Sequence, residues 1–319
     1  MVRLLGAVCL MCVAASAGAQ AYPAKPVRVI VGFSPGGSTD VTARIVAQKL
    51  TDAWRQQVIV ENRAGAGGNI GAEAVAKAPP DGYTLLLATT GIMSVNHRLY
   101  RTLSYDALRD FAPVTQIGSL PLILIVHPSL PAKSVKDLVA LAKARPGQLS
   151  YASSGVGGTT HMTGEIFRML AGVDIVHIPY KGSGQAMADL IGGQVPVAFD
   201  QIASSIAQVE AGKLRALAVT SAKRFASVPS LPTMMEAGVA GYEAVSWNGI
   251  TAPAATPREI VLRIQQEVAR IVQLPDIKER FFKDGIEPVA STPEQFAAHI
   301  RSERAKWEKV VDAAGIKPL

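Results

Sequence analysis

From Pro26 onward the sequence switches repeatedly between β-branched runs and apolar residues at helical spacing, with glycine or proline at each switch. Residues 27–31 (VRVIV) read as a continuous buried strand and 32–40 (GFSPGGSTD) as a turn. A helix follows over 41–50, with Val41, Ile45, Val46 and Leu50 at helical spacing. A second strand at 58–61, a loop at 63–68 and a helix at 70–77 come next. Pro79, Pro80, Asp81 and Gly82 then enforce a turn before a third strand at 84–88 (TLLLA). The order βαβαβ predicts a parallel sheet with helices on both faces.

A second unit of the same kind begins with a strand at 120–126, ended by His127 and Pro128. Ser134 caps a helix over 135–144, and Tyr151, Ala152 and Ser153 end another strand. A glycine-rich turn at 154–160 leads into a helix over 161–171. Strands at 175–179, 195–199 and 214–220 and a helix at 185–191 complete the unit, and two amphipathic helices, 257–273 and 293–314, close the chain. Two α/β units without a low-complexity linker predict two lobes joined by crossing strands, with a cleft between them. The expected crossings are 120–126 and 217–220. Residues 22–120 and 226–319 then form a discontinuous first lobe and 121–225 the second.

The first 21 of the 319 residues read as a secretory leader. Arg3 supplies the positive start, residues 4–15 the apolar run, and residues 17–19 or 19–21 an A-x-A cleavage site. A dozen apolar residues is too short to span a bilayer. Cys9 and Cys12 are the only cysteines, so the exported chain is expected to lack disulfides, thiolate catalysis and cysteine-ligated metal. The net charge of +7 falls to about +6 without the leader, and no block of like charge marks a nucleic-acid footprint.

Gly32-Phe33-Ser34-Pro35-Gly36 matches the G-x-S-x-G of a hydrolase elbow and sits between a strand and a helix. That elbow needs the backbone N–H of the residue after the serine, and Pro35 has none. An exported serine hydrolase using Ser34 is therefore the weaker alternative. Residues 65–71 (GAGGNIG) loosely follow a dinucleotide fingerprint, but no acidic residue ends the next strand to hold a ribose, and a tight turn explains the glycines. His161 and Glu165 stand one helical turn apart, which is half a metal site without an evident third ligand. His177, on an apolar strand, reads as a core histidine.

What remains is a pair of turns rich in Gly, Ser and Thr, each opening a helix: residues 34–39 and 153–160. Neither holds Lys or Arg. Glycine lets backbone approach a ligand, and the exposed N–H groups of a helix start attract anions. A third loop, 180–183, is placed the same way. Hydrogen bonds to a charged group contribute about 1.5–3 kcal/mol each. Micromolar binding needs about 8 kcal/mol, so four or five such bonds hold a carboxylate without a salt bridge.

The ordered series YPAKPVRVIVGFSPGGSTD (22–40), ENRAGAGG (61–68), PDGY (80–83), YASSG (151–155), PYKG (179–182), GGQV (192–195), EAG (236–238) and WNG (247–249) resembles the Bug-type receptors. These are the periplasmic solute-binding proteins of tripartite tricarboxylate transporters. The resemblance implies a two-lobed periplasmic binding fold of type II topology, without catalysis, cofactor or metal. Its ligand is a small dicarboxylate, amino acid or aromatic acid held by both glycine-rich loops and bridging waters. Carried onto this sequence, the first jaw is Phe33, Ser34, Gly36, Gly37, Ser38, Thr39 and Asp40, although capping of the helix above Arg44 explains Asp40 equally well. The second jaw is Ser153, Ser154, Gly155, Gly157, Gly158, Thr159, Thr160 and His161. Thr89, Tyr180, Lys181, Gly182 and Asp200 are expected wall positions. Asp200 would repel a second carboxylate unless protonated or bridged, and facing the ligand it favours a solute with an amine. The implied protein is a periplasmic monomer that serves membrane permease subunits or a sensor kinase and binds no nucleic acid.

Overall fold

The computed structural model describes residues 22–313, 315, 316 and 318. The leader and its two cysteines lie outside the described residues. The first unit forms as read: β1 (Val27–Val31) lies between β2 (Val58–Asn62) and β3 (Thr84–Thr89), parallel to both, with α1 (Ser38–Trp54) and α2 (Asn69–Ala76) as crossovers. A short π-helical turn and α3 (Asn96–Leu99) follow β3.

The second unit begins in β4 (Phe111–Val126), a 16-residue strand of which the sequence revealed only the end. Its first part pairs antiparallel with β9 (Val245–Pro253). Its last residues pair with β7 (Val197–Gln201) on one side and β8 (Arg215–Val219) on the other. β5 (Ser150–Ser153) is parallel to both β7 and β6 (Val176–Pro179). The sheet order is β2-β1-β3-β9-β4-β7-β5-β6, with β8 and the two-residue β10 (Glu287–Pro288) beside β4. Within it, β2-β1-β3-β9-β4 with β9 antiparallel is the expected type II arrangement of the first half.

Strand periodicity explains the unbroken apolar run at the end of β4. Leu122, Leu124 and Val126 enter one core with Tyr151 and Phe167, while Ile123 and Ile125 enter another with Ala152 and Leu190. A strand buried on both faces has no polar side to show. A separate core under the first half gathers Ile30, Leu50, Leu85, Val268 and Phe281, the last two from α8 (Arg258–Val272) and α9 (Pro275–Lys283).

One expected crossing is corrected. Residues 217–220 do not leave the second half, because β8 pairs there with β4. The return is made by β9, whose register on β4 begins at Val245 opposite Pro121. Before it, Val228, Met234, Val239 and Tyr242 pack in the second-half cores rather than with the first half. The helix α10 (Pro293–Ala313) serves both, with Phe296 and Ile300 in the first core and Trp307 and Val311 in the second. Among the described residues no helix is long and apolar enough to cross a membrane.

In the helix α4 (Val135–Ala144), Ser134 caps as read, its Oγ accepting the Asp137 N–H at 3.1 Å. Ser134→Ala should cost about 1 kcal/mol, seen as a lower denaturant midpoint at unchanged slope.

Candidate functional site

The parallel strands β1, β3, β5 and β7 all end at one cleft between the halves, the usual ligand position in such sheets. Four helices start there: α1, α5 (Thr159–Ala171), α6 (Ser183–Ile191) and α7 (Ile202–Glu210). None has a side-chain cap; the residues ahead of them are Gly37, Gly158, Gly182 and Gln201. Their first N–H groups have no intrahelical acceptor, so they remain free for one in the cleft.

The cavity between these helix starts is lined by Phe33, Gly37, Ser38, Thr39, Thr89, Ser154, Thr159, Ser183, Gln201 and Ser246. Its atom-free space is about 360 Å³ including the mouth, at the small end of ligand pockets. The cavity is a narrow slot between the two jaws. Hydroxyls dominate the lining and no residue in it carries a charge. The slot is closed by direct bonds between the halves. Ser34 N–H donates to Lys181 O at 3.1 Å, Tyr100 Oη–H to Val156 O at 3.0 Å, and Ser246 Oγ–H to Thr159 Oγ1 at 3.2 Å.

Of the residues named from the sequence, Phe33, Gly37, Ser38, Thr39, Thr89, Ser154 and Thr159 line the slot. Others shape it from behind. Asp40 accepts from Gly36 N–H at 3.1 Å, from Arg44 Nε at 2.9 Å and from Asn62 Nδ2 at 2.9 Å. Burial pushes its carboxyl up, but these bonds outweigh burial and hold it below the usual range. Asp40 therefore braces the first jaw from below. Ser34 Oγ is buried with no hydrogen-bond partner, so no base stands ready to activate it. In the second jaw, Thr160 Oγ1 accepts Ser154 N–H at 2.8 Å and shares a 2.8 Å bond with Ser154 Oγ.

His161 also lies beneath the jaw. Its Nδ1 accepts Gly157 N–H at 3.2 Å, and its ring stacks on His177 with centroids 4.0 Å apart. His177 Nε2 shares a 2.6 Å hydrogen bond with Ser153 Oγ. Glu165, which could have shared a metal with His161, is taken by Tyr151 Oη at 2.6 Å and Arg168 at 2.7 Å. Burial pulls His161 down to about 4, helped by Arg168. Burial and the neighbouring His161 pull His177 down to about 3. Both imidazoles are neutral at pH 7 and fix the 153–161 loop.

Gly155, Tyr180 and Lys181 line an adjoining outer cavity with Gly65–Gly68 and Tyr100. Gly36, Gly157, Gly158 and Gly182 line neither space, although Gly182 packs against Ser34 and Gly157 against Asn96. Asp200 is buried behind the slot in a small, mostly apolar space with Met187, Leu190 and Phe199. Two lining residues went unread in the sequence, Gln201 and Ser246, and Ser183 stood in the loop 180–183 without being named as a wall position. Ser183 and Gln201 follow the rule that flagged the jaws, a polar residue between strand end and helix start. Ser246 had no such signal, because β9 itself was not read as a strand.

A two-lobed α/β fold with a charge-free, hydroxyl-lined slot at converging helix starts defines a solute-binding protein. The family model "Tripartite tricarboxylate transporter family receptor" matches residues 42–316, and the chain belongs to that family. Protein BugT of Bordetella pertussis is 40% identical over 306 residues, covering 96% of this chain and 94% of that protein. Rpa4515 of R. palustris, solved with adipate, is 42% identical with a TM-score of 0.92, over 93% of this chain and 100% of that one. MatC of Rhodopseudomonas palustris, solved with bound malate, is 31% identical with a TM-score of 0.87, over 91% of this chain and 100% of that one.

Proposed function

We propose that this receptor captures a small carboxylate-bearing solute in the periplasm and presents it, as a monomer, to permease subunits or a sensor. The observation that carries the reading is the slot itself: four uncapped helix starts and a ring of hydroxyls around a space without charge. A carboxylate is planar, thin and anionic, and such a site supplies N–H and O–H donors on both of its faces. The α1 and α5 starts, with Ser38, Thr39, Ser154 and Thr159, would take this carboxylate, and bridging waters would complete its shell. Thr89, Gln201, Ser183 and Ser246 would meet the remainder of the solute. Residues 22 to about 120 and from about 245 onward would move as one lobe, with α10 tying it to the other. Closing the lobes over the solute shifts an open–closed equilibrium toward the state a partner reads.

The test is thermal denaturation of the exported chain, refolded to strip carried ligand, against adipate, malate, aspartate and aromatic acids. A ligand at 100 times its Kd adds about 2.7 kcal/mol, which for a chain of this length is a rise of several degrees. A saturable rise with one class of acid is expected, and Ser34→Ala should keep it. Ester hydrolysis that Ser34→Ala abolishes would overturn the receptor reading.

A further inference from the structure

The sequence marked Asp200 as a wall residue, yet its carboxylate lies behind the slot and touches it only through another side chain. Ser183 Oγ donates to Asp200 Oδ1 at 2.7 Å, and Ser183 lines the slot. Ser204 Oγ donates to Oδ2 at 2.6 Å and also reaches Gln201 O at 3.0 Å. Ser204 thus has a second acceptor for its proton, whereas Oδ1 is the acceptor that Ser183 uses. The groups around Asp200 are Ser183 from α6, Ser204 from α7, Ile123 opposite it on β4, and Ser153, Ser154 and Thr160 from the second jaw. None of them is charged, so no cation fixes Asp200 in its ionised form.

One proton lies between Ser183 Oγ and Asp200 Oδ1, and its owner decides what Ser183 offers the ligand. We infer that Asp200 and Ser183 form a proton-linked selectivity pair in the cleft wall. An ionised Asp200 makes Ser183 an acceptor that suits a ligand ammonium or hydroxyl, and a protonated Asp200 frees Ser183 to donate to a second carboxylate. With Asp200 ionised, the serine proton is committed to Oδ1 and only oxygen lone pairs face the slot. A ligand carboxylate there would be left unpaired beside a buried anion. When Oδ1 takes up a proton from solvent and donates it to Ser183 Oγ, the serine's own proton turns to the ligand. Binding a second carboxylate at this wall then carries one proton with it, and binding an ammonium carries none. Burial pushes the Asp200 carboxyl up, against the pull of hydrogen bonds from Ser204, Ser183 and the Gln201 backbone, and so favours that uptake. The inference rests on the receptor reading above.

Two probes of equal length separate the cases: adipate, whose far end only accepts, and 6-aminohexanoate, whose far end only donates. Calorimetric titration at pH 7 in buffers of different ionisation enthalpy counts the protons taken up with each. The adipate complex is expected to hold more protons than the 6-aminohexanoate complex, approaching one per site. Asp200→Asn and Ser183→Ala should each abolish that difference, and their melting curves check the fold. Where one probe alone binds, its pH dependence is read between pH 6 and 9. Adipate should weaken by up to tenfold per unit as pH rises, 6-aminohexanoate should not, and Asp200→Asn should flatten the adipate profile. Equal proton counts for both bound probes, or an adipate profile that Asp200→Asn leaves unchanged, would overturn the pair while the receptor reading stands. Failure of every acid in the thermal panel to bind would overturn the receptor reading itself, and the pair with it.

Discussion

Gly67→Ala should weaken binding of the cognate acid about ten- to a hundredfold while lowering the melting temperature of the ligand-free protein by only a few degrees. A Cβ on Gly67 would sit well inside 3.0 Å of the Val156 carbonyl, across the cleft in the second jaw. That carbonyl is backbone and already accepts the Tyr100 hydroxyl at 3.0 Å, so it cannot swing aside as a flexible side chain would. Overpacking of this kind costs about 1–3 kcal/mol, and each 1.4 kcal/mol is about tenfold. Opening the cleft relieves the overlap, so the cost falls on the closed form alone and the apparent affinity drops with its population. The left-handed backbone, φ +64, adds about 1–2 kcal/mol for alanine in either form. Gly212→Ala isolates that second cost, because Gly212 has φ +70 and nothing within 4 Å of an added Cβ. Calorimetric titration of all three proteins with an acid identified in the thermal panel makes the comparison. Equal affinities for the two variants would mean that the closed arrangement is not the form that binds.

Gly67 belongs to a run whose glycines the sequence explained as a tight turn, and three of them do adopt positive φ there. Their second role, letting the jaws meet backbone to backbone, was not legible, because a contact across the cleft depends on how the halves close. The same limit applies to Asp40 and His161. Both were named as jaw residues, and both turn inward to hold loop amides. Local spacing finds the loop but not the direction of each side chain. The parallel strands and crossover helices were legible because two-sided burial leaves unbroken apolar runs. β9 and the start of β4 were not, since they carry Asn248, Gly249, Pro113 and Gly118, and the β4–β9 register shifts twice. Glycine and proline signal turns in an isolated segment. Here they occupy the centre of the sheet, where Gly249 makes room for Phe296 of α10.

The stacked His161–His177 pair should make stability fall steeply with acid, by about 5 kcal/mol between pH 7 and pH 4.5. Both imidazoles titrate near 6.5 in the unfolded chain and at about 4 and about 3 in the fold. Between those limits the unfolded state holds more protons than the native state. The contribution is therefore complete above pH 6.5 and lost as pH falls toward the folded values. His97 and His299 are also lowered by burial and add to the same slope, so the pair must be isolated by substitution. His161→Asn keeps an acceptor for Gly157 N–H, and His177→Gln keeps a partner for Ser153 Oγ. The double variant removes both titrations while retaining the bonds. Denaturant unfolding at pH 7 and pH 4.5 should show its acid loss smaller than the wild-type loss by most of that 5 kcal/mol, whatever its stability at pH 7. Identical losses would mean that the pair does not carry the acid sensitivity. The consequence for binding follows from the tautomer. Once protonated, Nδ1 of His161 becomes a donor facing the Gly157 donor, and the second jaw loses the bond that fixes it. Solute affinity should then be lost as pH falls through about 4, whatever ligand is bound. The proton taken up at Asp200 acts in the opposite direction for a dicarboxylate. Adipate binding should therefore respond to acid in two opposed ways, gaining from the Asp200 proton and losing with the His161 one, a profile that neither group alone would produce.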